Sequence, residues 1–223
     1  NCTFRMWAHY LFEDSISRYG ENVPGTRLPY YFTEKDWNIQ DQEQIEHVYL
    51  QNIESGKTLC DKSPAHTLRA RFLQACFPDA RFIAIVRNPY AVSEGIVRKR
   101  HHDPERPKFR GLHTEIRDAA WQWEKANEVI ASYQEHGLLK NYIIVRYEDL
   151  IENPKNTFTR LLDFCNLDVN NFNIPVFEQS RNSEQISRLT THDIETITRI
   201  AEPMLIRFGY EILPDIIKVV SEI

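Results

Sequence analysis

The apolar run FIAIV at residues 82–86 constrains the fold of this chain more than any other feature. Neither face of this run carries a polar residue, which is the pattern of a strand buried inside a parallel sheet. A Pro-Asp turn precedes the run, and Arg87-Asn88-Pro89 follows it. Proline suits the first position of a helix. We therefore predict a strand within 81–86 and a helix from Pro89 to about Arg98.

Short apolar runs and longer helical patterns alternate along the rest of the chain. Further strands are predicted at 58–60 and 142–145. Helices are predicted at 41–55, 64–77, over about twenty residues before Gly137, at 154–165 and at 191–208. This order predicts an α/β fold, with a parallel sheet flanked by helices. Since no linker or repeat divides the chain, we expect a single domain over residues 1–223.

Composition excludes several classes of protein. A net charge of −5 argues against a nucleic-acid partner, which usually requires a basic surface. No apolar run is long enough to span a membrane. The seven glycines stand apart and form neither a GxGxxG nor a GxxxxGK motif, which excludes a Rossmann or Walker-type loop in this chain. The four cysteines lack CxxC spacing, so we expect no metal site.

A basic residue stands at or just after the end of each predicted strand: Lys62, Arg87 or Arg146. Ligands of an open parallel sheet bind at the carboxyl ends of its strands, where helix N-termini with unpaired N–H groups attract anions. Arginine can bind a phosphate through two parallel hydrogen bonds. The alternative is that these cations form ordinary ion pairs with neighbouring acidic residues. The pattern favours an anion-binding enzyme.

Four sequence motifs give the chain a family resemblance. Residues 77–92, FPDARFIAIVRNPYAV, resemble the 3′-phosphate-binding signature of sulfotransferases that use 3′-phosphoadenosine 5′-phosphosulfate (PAPS). Residues 61–66, DKSPAH, are similar to the family's Glu-Lys-Ser/Thr-Pro element, and residues 145–150, VRYEDL, to its Arg-Tyr-Glu-Asp-Leu region. The segment 186–210 looks like the closing helix of the bacterial and Golgi-like branch. The resemblance covers roughly residues 57–212.

The resemblance implies a P-loop-NTPase-like sulfotransferase fold that transfers a sulfonate from PAPS to a hydroxyl or amine acceptor, without a metal. If the family's site residues are carried over to the matching positions of this chain, Arg87 would hold the 3′-phosphate of the nucleotide. Lys62 would lie near the transferring group and stabilise the transition state. The expected partners are the nucleotide cosubstrate and an unidentified acceptor.

The chain departs from the family pattern at two places. Nothing in it fits the N-terminal strand–loop–helix that binds the 5′-phosphosulfate, so we expect the chain to lack that first element. Family members usually carry a serine eight residues after the arginine, where this chain has Gly95. The Gly95 backbone N–H, or Ser93 after a local distortion, is then the candidate for that phosphate contact.

The sequence leaves the general base and the overall role open. We predict His66 as a base because it lies one helical turn from Lys62; the other candidates are His9, Glu13 and Glu34. The basic stretch 98–110 is either a lid, an acceptor-binding loop or a solvated loop. The alternative to an enzyme is a non-catalytic nucleotide-binding or scaffold relative. We expect a cytoplasmic protein, or a Golgi-lumenal one if an N-terminal anchor precedes this sequence.

Overall fold

The computed structural model describes residues 32–53, 56–102, 115–175, 177 and 180–213. In chain order the α-helices are α1 (Ile39–Asn52), α2 (Ala70–Cys76), α3 (Pro89–His102), α4 (Ile116–Glu135), α5 (Tyr147–Glu152), α6 (Pro154–Phe164), α7 (Asn182–Ile186) and α8 (Thr191–Arg207). Short 3-10 helices span Glu34–Asp36, Pro64–Leu68 and Val169–Asn171. The strands β1 (Phe82–Val86) and β2 (Tyr142–Arg146) are neighbours in a parallel sheet. The predicted α/β class is confirmed.

The chain forms two compact units. The first unit comprises Asn1–Phe82 with Tyr133–Tyr142, and the second comprises Ile83–Ser132 with Ile143–Ile223. Both strands begin in the first unit and continue in the second.

The core of the first unit lies between α1 and α2. Its buried members are Ile45, Phe72, Leu73 and Cys76. Half-buried aromatic residues pack against them: Phe32, Tyr49, Phe77 and Phe82. Outside this core, the Tyr133 hydroxyl donates a 2.8 Å hydrogen bond to the Thr67 carbonyl. This bond ties the end of α4 to the 3-10 helix Pro64–Leu68.

The core of the second unit is built from α3, α4, α8 and the ends of both strands. Its fully or almost fully buried members include Val86, Tyr90, Ala119, Val145, Ile197 and Leu205. The Tyr90 hydroxyl lies 2.7 Å from the Thr198 hydroxyl, which links α3 to α8. Trp123 is a core residue, and its indole N–H donates to the Arg87 carbonyl at 2.9 Å. This bond fixes the backbone where β1 ends.

Two predicted elements of the first unit are wrong in detail. Residues 58–60 form no strand, because three residues gain too little unless a neighbouring strand pairs with them. The predicted helix 64–77 is divided in two. The 3-10 helix Pro64–Leu68 ends at Arg69, whose backbone (φ −129°, ψ 13°) is not helical, and α2 starts after it. Ser63 precedes the first part without a side-chain capping bond.

Two expectations for the second unit also need correction. We expected β1 to be buried on both faces, yet Ile83 and Ile85 are 40% and 56% exposed. Because side chains of a strand alternate, these two share a face that the described residues of this unit leave open. The helix that we predicted from Pro89 to about Arg98 is longer, since α3 continues to His102. Basic residues are favourable in the last turn of a helix. Residues 103–114 lie outside the described part.

Candidate functional site

The junction between β1 and α3 places Arg87 at the end of the strand. The Asn88 side-chain oxygen accepts hydrogen bonds from the backbone N–H groups of Tyr90 (3.0 Å) and Ala91 (3.3 Å). It therefore caps α3, as Asn commonly does at a helix start. The expectation of unpaired N–H groups at this helix N-terminus is wrong for these two. An anion at this junction would be bound mainly by the Arg87 side chain.

The Arg87 guanidinium contacts three uncharged side chains. Its Nε donates to Asn182 Oδ1 at 2.9 Å, and its Nη2 donates to Gln185 Oε1 at 2.5 Å. Its central carbon lies 4.4 Å from the centroid of the Tyr147 ring. Within the described part of the chain, no carboxylate forms an ion pair with this guanidinium. The half-buried Arg87 thus has only uncharged partners among the described residues.

Glu148 holds the surroundings of Arg87 together. Its carboxylate accepts hydrogen bonds from the backbone N–H of Asn88 (3.1 Å), from Asn182 Nδ2 (2.7 Å) and from the Tyr210 hydroxyl (2.9 Å). Burial and the nearby Glu148 charge raise the pKa of Tyr210, so this hydroxyl stays a donor. Glu148 therefore belongs to a structural network at the strand end.

A second carboxylate, Glu94 of α3, lies on the other side of α7. Arg188 binds it through two nitrogens, Nε at 2.6 Å and Nη2 at 3.2 Å, and Arg98 approaches it at 3.3 Å. Gln185 Nε2 donates to it at 3.1 Å. Burial would raise the pKa of Glu94, but the hydrogen bonds from Arg188 and Gln185 hold it below its ordinary value. Glu94 is therefore a carboxylate whose charge is paired with Arg188 and Arg98.

The structure places Ser93 and Gly95 on α3 in the same unit as Arg87. Ser93 is fully buried, and its hydroxyl has no hydrogen-bond partner among the described residues. Gly95 faces Gln185, because a Cβ atom added there would lie 2.7 Å from Gln185 Nε2. The absence of a side chain at Gly95 is thus what allows Gln185 to approach α3.

The structure places Lys62 and His66 in the first unit, in and beside the 3-10 helix Pro64–Leu68. Lys62 is exposed. The adjacent Asp61 carboxylate accepts hydrogen bonds from the Tyr49 hydroxyl (2.8 Å) and lies 2.9 Å from His66 Nε2. Burial would raise the pKa of Asp61, but the contacts with His66 and Tyr49 hold it below its ordinary value. Asp61 therefore orients His66.

Of the remaining base candidates, Glu34 lies among the described residues. Glu34 pairs with Arg71, and this hydrogen bond lowers the pKa of Glu34. A carboxylate engaged in this way is a poor proton acceptor. His9 and Glu13 lie outside the described residues.

Sequence reasoning missed three residues around Arg87. Asn182 and Gln185 lie about a hundred positions later in the chain, and no local pattern connects them with the strand end. Tyr147 stands in the VRYEDL segment, but its stacking on Arg87 needs the two strands side by side. Only a spatial arrangement reveals these contacts.

A model of the sulfotransferase family matches residues 14–171, well over half of the chain. The chain belongs to the sulfotransferase family. The matched region contains Lys62, His66, Arg87, Ser93 and Gly95, whereas α7 lies beyond it. The family's motifs thus cover the predicted site residues of this chain but not the two amides that bind Arg87.

Two curated relatives and one solved structure are similar to this chain. Omega-hydroxy-beta-dihydromenaquinone-9 sulfotransferase of Mycobacterium bovis is 30% identical over 55% of this chain and 31% of its own length. Protein-tyrosine sulfotransferase A of Caenorhabditis elegans is 22% identical over 60% of this chain and 38% of its own length. The chain thus spans about a third of the length of these relatives. A sulfotransferase domain from the curacin biosynthetic pathway superimposes with a TM-score of 0.49 and 20% identity, over 89% of this chain and 84% of that one.

Two features are absent from the described residues. No helix there is long and apolar enough to cross a membrane. No group of three or more His, Cys, Asp or Glu side chains in that part of the chain is arranged to hold a metal ion.

Proposed function

We propose that this chain is part of an enzyme that transfers a sulfonate from PAPS to an acceptor, and that Arg87 holds the 3′-phosphate of the nucleotide. The observation that carries this proposal is the set of contacts that Arg87 makes. A half-buried guanidinium whose partners among the described residues are two amides and an aromatic ring is ready to bind an anion. Family membership supports a sulfated nucleotide as the source of that anion.

The geometry of the guanidinium determines which of its edges takes the phosphate. Nε and one N–H of Nη2 are bound to Asn182 and Gln185. No described residue binds the two N–H groups of Nη1 or the second N–H of Nη2, so these groups can bind a ligand. These form the end-on fork of arginine, which matches two oxygens of a phosphate. We therefore expect the 3′-phosphate to bind end-on at Nη1 and Nη2.

The reaction requires an acceptor oxygen to attack the sulfur while the bond from sulfur to the bridging phosphate oxygen breaks. The leaving nucleotide keeps that electron pair, and the acceptor loses a proton to a base. A fixed cation near the bridging oxygen stabilises the developing charge. We assign this role to Lys62. His66, oriented by Asp61, is our described candidate for the base.

The acceptor proposed here is a hydroxyl. Both curated relatives are named for acceptors that carry one, an omega-hydroxy menaquinone derivative and a protein tyrosine. A hydroxyl acceptor needs its proton removed during transfer, which is the role that a histidine beside a carboxylate can serve.

The nucleotide site is tested by calorimetry with adenosine 3′,5′-bisphosphate on the intact protein. Arg87→Ala should weaken binding by about 1.5–3 kcal/mol, since it removes a charge-assisted contact. Arg160→Ala is the matched control, because Arg160 is an exposed arginine of the same unit on α6. Equal affinity of the wild type and Arg87→Ala would remove the basis of the proposal.

A further inference from the structure

We infer that Gln185, in the space left by Gly95, and Asn182 form an amide pair that positions Arg87 and keeps its charge available to the nucleotide's 3′-phosphate. This inference rests on the proposed function. It assigns a determinant of nucleotide specificity to α7, outside the region that the family model matches.

Both amides direct the oxygen at Arg87 and the nitrogen at a carboxylate. Asn182 directs its oxygen at Arg87 Nε (2.9 Å) and its nitrogen at the Glu148 carboxylate (2.7 Å). Gln185 directs its oxygen at Arg87 Nη2 (2.5 Å) and its nitrogen at the Glu94 carboxylate (3.1 Å). Each amide therefore stands between the cation and one carboxylate, with both of its ends satisfied.

This arrangement has an electrostatic consequence. A carboxylate in direct contact with Arg87 would form a bidentate pair and cancel the charge that attracts an anion. The amides give Arg87 hydrogen bonds of correct geometry but no negative charge. They also occupy the side-on edge of the guanidinium, so that the end-on edge is the one that the described residues leave to a phosphate.

Gly95 makes the position of Gln185 possible. Gln185 is buried, and its nitrogen also donates to the Ala91 carbonyl at 2.9 Å, so the amide lies flat against α3. A methyl group on residue 95 would approach that nitrogen to 2.7 Å, which is closer than atoms tolerate. The amide would have to move, and we expect this movement to draw its oxygen away from Arg87. Gly95 and Gln185 should therefore act as one unit in ligand binding.

A double-mutant cycle on the intact protein tests this coupling, with calorimetry of two probes. Adenosine 3′,5′-bisphosphate carries the 3′-phosphate, and adenosine 5′-monophosphate lacks it. Gly95→Ala and Gln185→Ala should each weaken binding of the bisphosphate about tenfold, the worth of one hydrogen bond to a charged group. Combined in one protein, they should still weaken it only about tenfold, because the second change removes nothing further.

The monophosphate separates a specific role from general damage. Its affinity should change less than twofold in all three variants, since it lacks the group that Arg87 holds. Gln122→Ala, an exposed glutamine of α4, is the matched control and should bind both probes as the wild type does. Equal losses for both probes would mean that Gln185 supports the fold and not the 3′-phosphate site, which would overturn the inference.

The outcomes for this inference and for the proposed function are distinguishable. If the wild type and Arg87→Ala bind the bisphosphate equally, the proposed function fails. If Arg87→Ala loses binding while Gly95→Ala retains it, only the coupling of Gly95 and Gln185 is wrong. The same holds if Arg87→Ala loses binding while Gly95→Ala and Gln185→Ala together weaken binding of the bisphosphate about a hundredfold.

Discussion

The central carbon of the Arg87 guanidinium lies 4.4 Å from the centre of the Tyr147 ring. Tyr147 is the first residue of α5 and directly follows β2, so the contact joins the ends of the two neighbouring strands. An aromatic face attracts a guanidinium and leaves the N–H groups at its edge open to other partners. The stacking thus adds to the fixed orientation of Arg87 without reducing its charge.

Replacing Tyr147 should weaken the nucleotide site modestly. We expect Tyr147→Leu to lower the affinity for adenosine 3′,5′-bisphosphate about two- to fivefold, the worth of one partly exposed cation–π contact. Tyr147→Phe keeps the ring and should bind as the wild type does. Calorimetry on both variants provides the measurement. A Phe variant as weak as the Leu variant would show that the hydroxyl, and not the ring, matters.

Replacing Lys62 should separate catalysis from binding. If Lys62 stabilises the charge that develops on the bridging oxygen, Lys62→Ala should lower kcat about 10²–10³-fold, as expected for loss of one preorganised stabiliser. Affinity for the product nucleotide should change little, since the 3′-phosphate is held elsewhere. Lys62→Arg should rescue poorly because a broad fork replaces a compact charge.

The Lys62 variants are compared with Lys155→Ala, an exposed lysine on α6. Transfer is measured with radiolabelled PAPS and a panel of hydroxyl acceptors. A Lys62→Ala protein that turns over at nearly the wild-type rate would exclude the catalytic role.

The contacts of Asp61 should make stability depend on pH. Tyr49 and His66 hold the pKa of Asp61 below that of the unfolded chain. The folded state therefore gains from the ionised carboxylate above an unfolded pKa of about 3.9, and this gain is lost as the pH falls through the depressed folded pKa. At pH 7, Asp61→Asn should lower the free energy of unfolding by about 1–3 kcal/mol.

Urea denaturation between pH 7 and pH 3 checks this expectation. The difference between the wild type and Asp61→Asn should narrow as the pH falls. Asp79→Asn, an exposed aspartate of the same unit, serves as the control and should show almost no difference. A difference that stays constant over the whole range would contradict the assignment.

Glu124 should have the opposite pH dependence. Its side chain is buried on α4, and one carboxylate oxygen has no hydrogen-bond partner within the described residues. Burial, together with the nearby Glu128, raises the pKa of Glu124. The folded state therefore holds this proton more tightly than the unfolded chain, so stability falls as the pH rises above the ordinary value of glutamate.

Removing that charge should stabilise the protein at pH 8. We expect Glu124→Gln to raise the free energy of unfolding by about 0.5–1.5 kcal/mol, the cost of a buried group without its partner. Thermal unfolding at pH 8 and pH 4 provides the measurement, with the exposed Glu202→Gln as control. A variant less stable than the wild type at pH 8 would show that the carboxylate has a favourable partner.

The sequence alone was enough to locate Arg87 and the β1–α3 junction, because the information there is local. An apolar run, a basic residue, Asn and Pro stand next to one another, and each restricts the backbone over a few residues. The same holds for α4 and α8, whose long helical patterns predicted their positions within a few residues. The short segment 58–60 failed for the converse reason, since a strand requires a partner that a local pattern does not supply.

Only the tertiary structure decided what surrounds Arg87. Asn182 and Gln185 reach it from α7, and Gly95 is required by the nitrogen of Gln185 and not by its own backbone. The sequence could identify Gly95 as a departure from the family pattern, but not the side chain that fills its space. Contacts between residues about a hundred positions apart depend on how helices pack, and packing leaves no period or spacing in either segment.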